Sequence, residues 1–138
     1  MSMSETVILN KVKSIERCLR RIREDYQYHN HDFQTNFTVQ DAIVLNIQRA
    51  CEQSIDLANH IIKSKKLGIP QNARNSFELL CENQVISNEL KTNLIKMVGF
   101  RNIAIHEYQK LEMDIVESII KNRLVDFENY SKVAISLL

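Results

Sequence analysis

The scarcity of glycine and proline is the feature that most restricts how this chain can fold. Its 138 residues include 2 Gly and 1 Pro, where average usage would supply roughly ten and seven. β-Sandwiches and barrels need many turns built from these residues, and phosphate-binding loops need closely spaced glycines. The sequence therefore predicts an all-α fold. With 44% hydrophobic and 25% charged residues, the chain can bury a core and is not typical of disordered proteins.

The length predicts a single domain that spans residues 1–138, since a chain of this size supports one hydrophobic core. No segment contains the ~18 consecutive apolar residues of a membrane span, and the N-terminal sequence lacks the basic start and apolar stretch of a signal peptide. Both observations predict a cytoplasmic protein with no membrane partner. Cys18, Cys51 and Cys81 have no CxxC spacing and are interpreted as reduced core thiols.

Apolar residues that recur at steps of three and four predict a bundle of about five helices. The first helix is expected to begin at a cap on Ser4, and the second at a cap on Thr38 with Asp41 in its first turn. Residues 67–70 end the second helix, where Gly68 is expected to take a left-handed conformation. The remaining helices are a short one from Arg74 to Glu82, one that begins at the Ser87 cap and runs through Tyr108, and a long one from about Glu112 to Ser136.

One side of the first helix is basic, although the formal net charge of the whole chain is only +1. A net charge this close to zero does not indicate a nucleic-acid partner, so any such partner must be bound by a local basic patch. These side chains either are simply solvated or face phosphates, and the sequence leaves both alternatives open. The candidates for contacts to RNA are Lys13, Arg17, Arg20 and Arg21.

A short segment near the end of the fourth helix carries the strongest chemical signal. Arg101 occupies a position that the helical period assigns to the apolar side, although an unpaired guanidinium is almost never buried. Asn102 and His106 are four residues apart and share a helix face, whereas Arg101 and Tyr108 are seven apart and nearly eclipse each other. By spacing alone, an Arg and His pair is more often a surface feature than a catalytic one.

Other chemical motifs are weak or absent. His29 and His31 lie with Asp32 in a polar loop, but two histidines without a third ligand are thin evidence for a metal. Gly99 allows a kink or the close approach of another backbone. No Gly-x-Ser-x-Gly, HExxH or P-loop motif occurs. The sequence therefore predicts no metal and no cofactor.

The segment RNIAIHEY at residues 101–108 resembles the Arg-x4-His-x-Tyr motif of HEPN-domain toxins of the HepT type. The similarity extends to residues 56–62, to Leu-Gly-Ile-Pro at 67–70 and to residues 77–80, so that it covers most of the chain from 39 to 110. Residues 65–66 and 72–76 depart from the pattern of many relatives. The motif together with the Leu-Gly-x-Pro segment is far more specific than either alone.

The resemblance implies an HEPN-like bundle that acts as the toxin of a toxin–antitoxin pair. It implies a homodimeric, metal-independent endoribonuclease with Arg101 and His106 as catalytic residues and Asn102 in support. It also implies neutralisation by an MntA-like minimal nucleotidyltransferase, which attaches AMP to Tyr108. The alternative is a non-catalytic helical module that binds nucleotides or a protein partner, and the presence of both Arg101 and His106 favours the enzyme.

The chemistry of RNA cleavage is consistent with these residue types. Without a metal, the ribose 2′-OH attacks the phosphate, and the reaction needs a base, an acid and a cation on the phosphorane. Histidine populates both protonation states near neutrality, and arginine presents a planar fork of permanent charge to a phosphate. One motif histidine must serve two proton transfers, so a two-fold dimer would supply the second. Asn102 is expected to orient His106 or the phosphate.

Overall fold

The fold contains six α-helices, one short 3₁₀ turn and no strand. A computed structural model describes residues 1–138. The prediction of an all-α bundle is confirmed, with six helices in place of five. The helices are α1 (Met3–His29), α2 (Phe37–Lys65), α3 (Ala73–Glu82), α4 (Asn88–His106), α5 (Met113–Asn122) and α6 (Leu124–Ser136), and the 3₁₀ turn spans Tyr108–Lys110.

Two long antiparallel helices, α1 and α2, form the centre of the bundle. The Ser4 hydroxyl at the start of α1 lies 2.9 Å from His60 Nε2 near the end of α2, and Lys11 pairs with Asp56 at 3.5 Å. The other helices pack around this pair on a core of 34 buried residues. The buried side of α1 consists of the residues that the apolar period predicts, namely Ile8, Val12, Ile15, Leu19 and Ile22, together with Cys18.

α6 closes the bundle through a buried tyrosine. Tyr130 is fully buried, and its hydroxyl donates to the carbonyl oxygen of Ser54 in α2 at 2.9 Å. The ring of Phe77 in α3 meets the Tyr130 ring edge to face, with centroids 5.8 Å apart. Burial raises the pKa of Tyr130. One side chain therefore links three helices, and its polar end is satisfied inside the core.

The first two helices begin two residues earlier than predicted. Ser2, not Ser4, caps α1, because its hydroxyl accepts the N–H of the residue three positions ahead at 3.1 Å. The Ser4 side chain instead contacts His60. Asn36, not Thr38, caps α2 in the same way, also at 3.1 Å. Both segments offer two polar residues as possible caps, and in α1 the contact of Ser4 with His60 accompanies the choice of Ser2.

Two other helix boundaries also differ from the prediction. Lys66, with φ of 56°, takes the left-handed conformation that ends α2, and Gly68, with φ of 130°, lies in the segment that follows. The helix expected from Glu112 to Ser136 is divided at Arg123 into α5 and α6. No glycine or proline marks that break in the sequence. Ser87 is confirmed as the cap of α4, because its hydroxyl oxygen accepts a hydrogen bond from the backbone N–H of Leu90 at 3.1 Å.

The three cysteines are free thiols. Cys18 and Cys51 are buried in the core, as predicted, whereas Cys81 is only partly buried. None of the helices combines the length and the apolar composition that crossing a membrane requires.

Candidate active site

The motif residues lie at the C-terminal end of α4 and just beyond it. α4 ends at His106, and Glu107 leaves the helical conformation with φ of −142° and ψ of 47°. Tyr108 then opens the 3₁₀ turn. The prediction that Tyr108 continues the helix two turns after Arg101 is therefore wrong. Ile105, which the period assigns to the apolar side, is 43% exposed.

Arg101 is half-buried and has no acidic partner. Its Nε is buried without a hydrogen-bond acceptor, whereas its Nη1 donates to the Asn102 carboxamide oxygen at 2.7 Å. No ion pair of the protein includes Arg101. A guanidinium whose charge is not neutralised, and whose outer edge reaches solvent, is suited to bind a phosphate.

Asn102 and His106 differ in what they contact. Asn102 is exposed, and its carboxamide holds the Arg101 guanidinium rather than the imidazole of His106. His106 is exposed at the last position of α4. The imidazole is therefore open to a substrate, and the residue that Asn102 orients is Arg101.

Tyr108 is tied to the start of α2 by a contact that sequence spacing does not show. Its hydroxyl donates a hydrogen bond to the Asp41 carboxylate. Partial burial and this hydrogen bond raise the pKa of Tyr108 to about 12. The ring remains 40% exposed. Asp41 is a residue that sequence reasoning assigned only to the first turn of α2, because the chain separates it from Tyr108 by 67 positions.

Three arginines from two helices line one pocket. Arg17 and Arg21 of α1 face Arg49 of α2 across a pocket of about 300 Å³ that no acidic residue lines. Burial raises the pKa of the Cys18 thiol, which also lines the pocket, and the positive charges of the three arginines oppose this effect. The Asn46 carboxamide oxygen in the same pocket is buried without a donor. We call this set the arginine pocket.

The four predicted RNA contacts do not form one group. Arg17 and Arg21 belong to the arginine pocket, whereas Arg20 lines a separate depression with Glu16, Glu24 and Glu128. Lys13 is exposed and lines neither. Sequence reasoning missed Arg49 of the arginine pocket, because this residue belongs to α2 and meets the α1 arginines only when the two helices pack together. The basic side of α1 is therefore divided into a part whose pocket has no acidic residue and a part that lies among glutamates.

Cys51 on α2 is a second buried thiol. Burial raises the pKa of Cys51, and the positive charge of Arg101 opposes that effect.

The remaining sequence candidates form no site. His29 Nδ1 and His31 Nε2 lie 3.3 and 3.9 Å from Asp32 Oδ1, and nowhere in the chain do three or more His, Cys, Asp or Glu side chains converge as metal ligands would. No other part of the chain approaches Gly99 closely, because no atom lies within 4 Å of the Cβ position that it leaves empty. α4 runs through Gly99 without interruption.

Comparison with known proteins places the chain in a family. A profile described as Ribonuclease HepT-like matches residues 15–134. The mRNA nuclease HepT of Shewanella oneidensis is 48% identical over 127 residues, which are 92% of this chain and 95% of that protein. The profile match includes the segment from Arg101 to Tyr108. The match to the nuclease covers the greater part of both sequences.

Solved structures of toxin–antitoxin complexes are similar to this chain in both fold and sequence. The tri-AMPylated HEPN toxin of Shewanella oneidensis in complex with MNT antitoxin has a TM-score of 0.89 at 47% identity, covering 96% of this chain and 97% of that chain. A toxin–antitoxin complex with AMP-PNP has a TM-score of 0.89 at 47% identity, with coverage of 93% and 96%. The resemblance to HepT-type toxins and the prediction of a ribonuclease are confirmed. By sequence and by fold, the chain belongs to the HepT-like ribonuclease family.

Proposed function

We propose that this protein is the endoribonuclease toxin of a toxin–antitoxin pair and that it cleaves RNA at the end of α4. The relatives are named mRNA nuclease and HEPN toxin. In this chain, the observation that carries the proposal is Arg101, a half-buried guanidinium without an acidic partner, five positions before the exposed His106 on the same helix. A cation for the phosphate and a group for proton transfer are the minimum that metal-independent cleavage requires.

The reaction assigns one role to each motif residue. The ribose 2′-OH attacks the adjacent phosphorus, its proton passes to a His106 imidazole, and the 5′ oxygen leaves with a proton from a second imidazole. Arg101 binds the non-bridging oxygens, where negative charge develops in the phosphorane. Asn102 supports the reaction by holding the Arg101 guanidinium at 2.7 Å. The products are a 2′,3′-cyclic phosphate end and a free 5′-OH end.

A homodimer supplies the second imidazole. Each chain carries one His106, and a single imidazole would have to act as base and acid on opposite sides of the phosphorus. The surface beside it is suited to a second chain, because Ile103 and Ile105 are 40% and 43% exposed next to the motif. A two-fold axis near the ends of the two α4 helices would bring both Arg101 and His106 pairs together.

The arginine pocket is proposed to bind the RNA backbone beside the scissile bond. Arg17, Arg21 and Arg49 present three charges with no acidic residue among the pocket lining, and phosphodiesters are the groups that such clusters bind. Lys13 and Arg20 are proposed as peripheral contacts only, since Arg20 shares its surroundings with glutamates.

Neutralisation is proposed to occur by AMP transfer to Tyr108 from an MntA-like nucleotidyltransferase. The related Shewanella toxin is tri-AMPylated and in complex with MNT antitoxin. Tyr108 lies two residues after His106 and its ring is 40% exposed, so a partner can reach its hydroxyl. An added phosphodiester and nucleoside would obstruct the approach of RNA to His106 and compete for Arg101.

The test is RNA cleavage by purified single variants. His106→Ala and Arg101→Ala should each reduce the cleavage rate by ~10²- to 10⁴-fold, the usual effect of removing an acid–base or charge-stabilising group. Gln109→Ala, an exposed neighbour outside the motif, is the matched control and should retain the wild-type rate. EDTA should leave the wild-type rate unchanged.

Circular dichroism checks that each variant is folded. A folded His106→Ala or Arg101→Ala protein that cuts RNA as fast as wild type contradicts the assignment. Wild-type protein that binds RNA without cutting it would instead identify a non-catalytic binding module.

A further inference from the structure

We propose that Asp41 accepts the phenolic proton of Tyr108 when AMP is transferred to that residue. The inference rests on the proposed function, because it takes Tyr108 as the acceptor of AMP. Its basis is geometric, since the Tyr108 hydroxyl already donates its hydrogen bond to the Asp41 carboxylate. The toxin would then supply a catalytic residue for its own modification.

The phenol needs such a base because it does not ionise in advance. With its pKa raised to about 12, Tyr108 is ionised at pH 7 in about one molecule in 10⁵. The neutral oxygen is a weak nucleophile, and attack without loss of the proton would leave a positive charge on it. The proton must therefore leave during the transfer itself, and it must leave toward a group within hydrogen-bond reach.

The step balances with the nucleoside triphosphate that a nucleotidyltransferase binds. Tyr108 Oη forms a bond to the α-phosphorus, and the bond from that phosphorus to the bridging oxygen breaks as pyrophosphate leaves with the electron pair. The Oη–H bond breaks at the same time, and its proton passes to the Asp41 carboxylate. Because Asp41 is exposed, it can release that proton to solvent afterwards.

The surroundings single out Asp41 among the acids near the tyrosine. Glu107 is adjacent in sequence, but its carboxylate pairs with Lys110 at 3.3 Å. Asp41 takes part in no ion pair of the protein. It also lies in the second turn of α2, whereas Tyr108 belongs to the turn after α4. The base is thus held in place independently of the segment that carries the nucleophile.

The experiment measures AMP incorporation into purified toxin by its nucleotidyltransferase partner with ATP. Initial rates are followed by intact-protein mass spectrometry across toxin concentrations, so that kcat and KM separate. Asp41→Asn keeps a hydrogen-bond acceptor but cannot take the proton, and it should lower kcat by ~10²- to 10⁴-fold with little change in KM. Asp41→Glu should recover part of the rate. Asp56→Asn, on the same helix, is the matched control and should behave as wild type.

Two control outcomes separate this inference from the proposed function. If Tyr108→Phe receives no AMP while Asp41→Asn is modified at the wild-type kcat, the role of Asp41 is overturned and Tyr108 remains the acceptor. If Tyr108→Phe is modified like wild type, the proposed acceptor itself is wrong. A folded Asp41→Asn protein that changes only in KM would make Asp41 a docking contact and would also overturn the inference.

Discussion

At the scale of single residues, the site is marked by guanidinium groups that no acid neutralises. The chain has 17 acidic and 18 basic residues, so it contains enough carboxylates to pair with most arginines. Three other arginines form such ion pairs. Arg23, Arg74 and Arg123 each pair with a carboxylate. Arg101 and the arginine pocket have none, although like charges held together repel one another. An RNA phosphate would supply the missing negative charge, which is why we propose these positions as RNA contacts.

This charge pattern predicts unequal effects of two arginine substitutions on RNA binding. In a His106→Ala background that prevents cleavage, Arg49→Ala should weaken binding of single-stranded RNA and reduce the slope of log Kd against log salt by about one phosphate contact. Arg20→Ala removes the same charge from a position among glutamates and should change the slope by less. Fluorescence anisotropy between low and moderate salt gives both values, and equal slopes for the two variants would argue against the arginine pocket.

At the scale of elements, the place where a helix ends decides which residues meet. Because α4 stops at His106, the following turn carries Tyr108 to Asp41 at the start of α2. Had the helix continued, Tyr108 would lie above Arg101 and away from that carboxylate. A helix cap acts in the same way at the start of α2, where Asn36 rather than Thr38 fixes the first turn.

The cap assignment predicts the stability of two alanine variants. Asn36→Ala should lower the free energy of unfolding by about 1 kcal/mol, because the N–H of Val39 loses its side-chain acceptor. Thr38→Ala, in the exposed first turn, should lower it by less than about 0.5 kcal/mol. Urea denaturation followed by circular dichroism measures both, and equal losses in the two variants would contradict Asn36 as the cap.

The sequence predicted the helices better than their ends, for a physical reason. Burial follows the apolar period, so the inner face of α1 and the exceptional position of Arg101 could be read from spacing. The end of α4 could not, because Ile105 and Tyr108 continue the period although both are exposed. Asp41 and Arg49 could not be found either, since both reach the site only when α2 packs against its neighbours.

At the scale of the whole molecule, one α1–α2 pair supports both parts of the site. α4 contributes Arg101 and His106, while α1 and α2 contribute the arginine pocket. The helices that carry both parts pack on one hydrophobic core. In the proposed mechanism, the second imidazole is the component that comes from a second chain.

The proposed dimer predicts that inactive subunits lower the activity of wild-type subunits. Mixing wild-type toxin with an excess of His106→Ala and allowing subunits to exchange should lower the cleavage rate further than dilution does, because few dimers then keep both imidazoles. Gln109→Ala subunits serve as the control and should leave the rate per dimer unchanged. Sedimentation reports the oligomeric state, and a monomer with full activity would contradict the shared site.

The buried Nε of Arg101 lowers the stability of the protein, whereas the guanidinium that carries it is proposed to be needed for activity. An unsatisfied buried N–H group costs about 1–3 kcal/mol, and the Nε of Arg101 has no acceptor. An apolar side chain of similar length would remove that cost and the catalytic charge together. If Arg101 binds the scissile phosphate as proposed, selection for a more stable protein and selection for a toxic one oppose each other at residue 101, and a chain released from the need to cleave RNA is expected to gain stability when it loses that arginine.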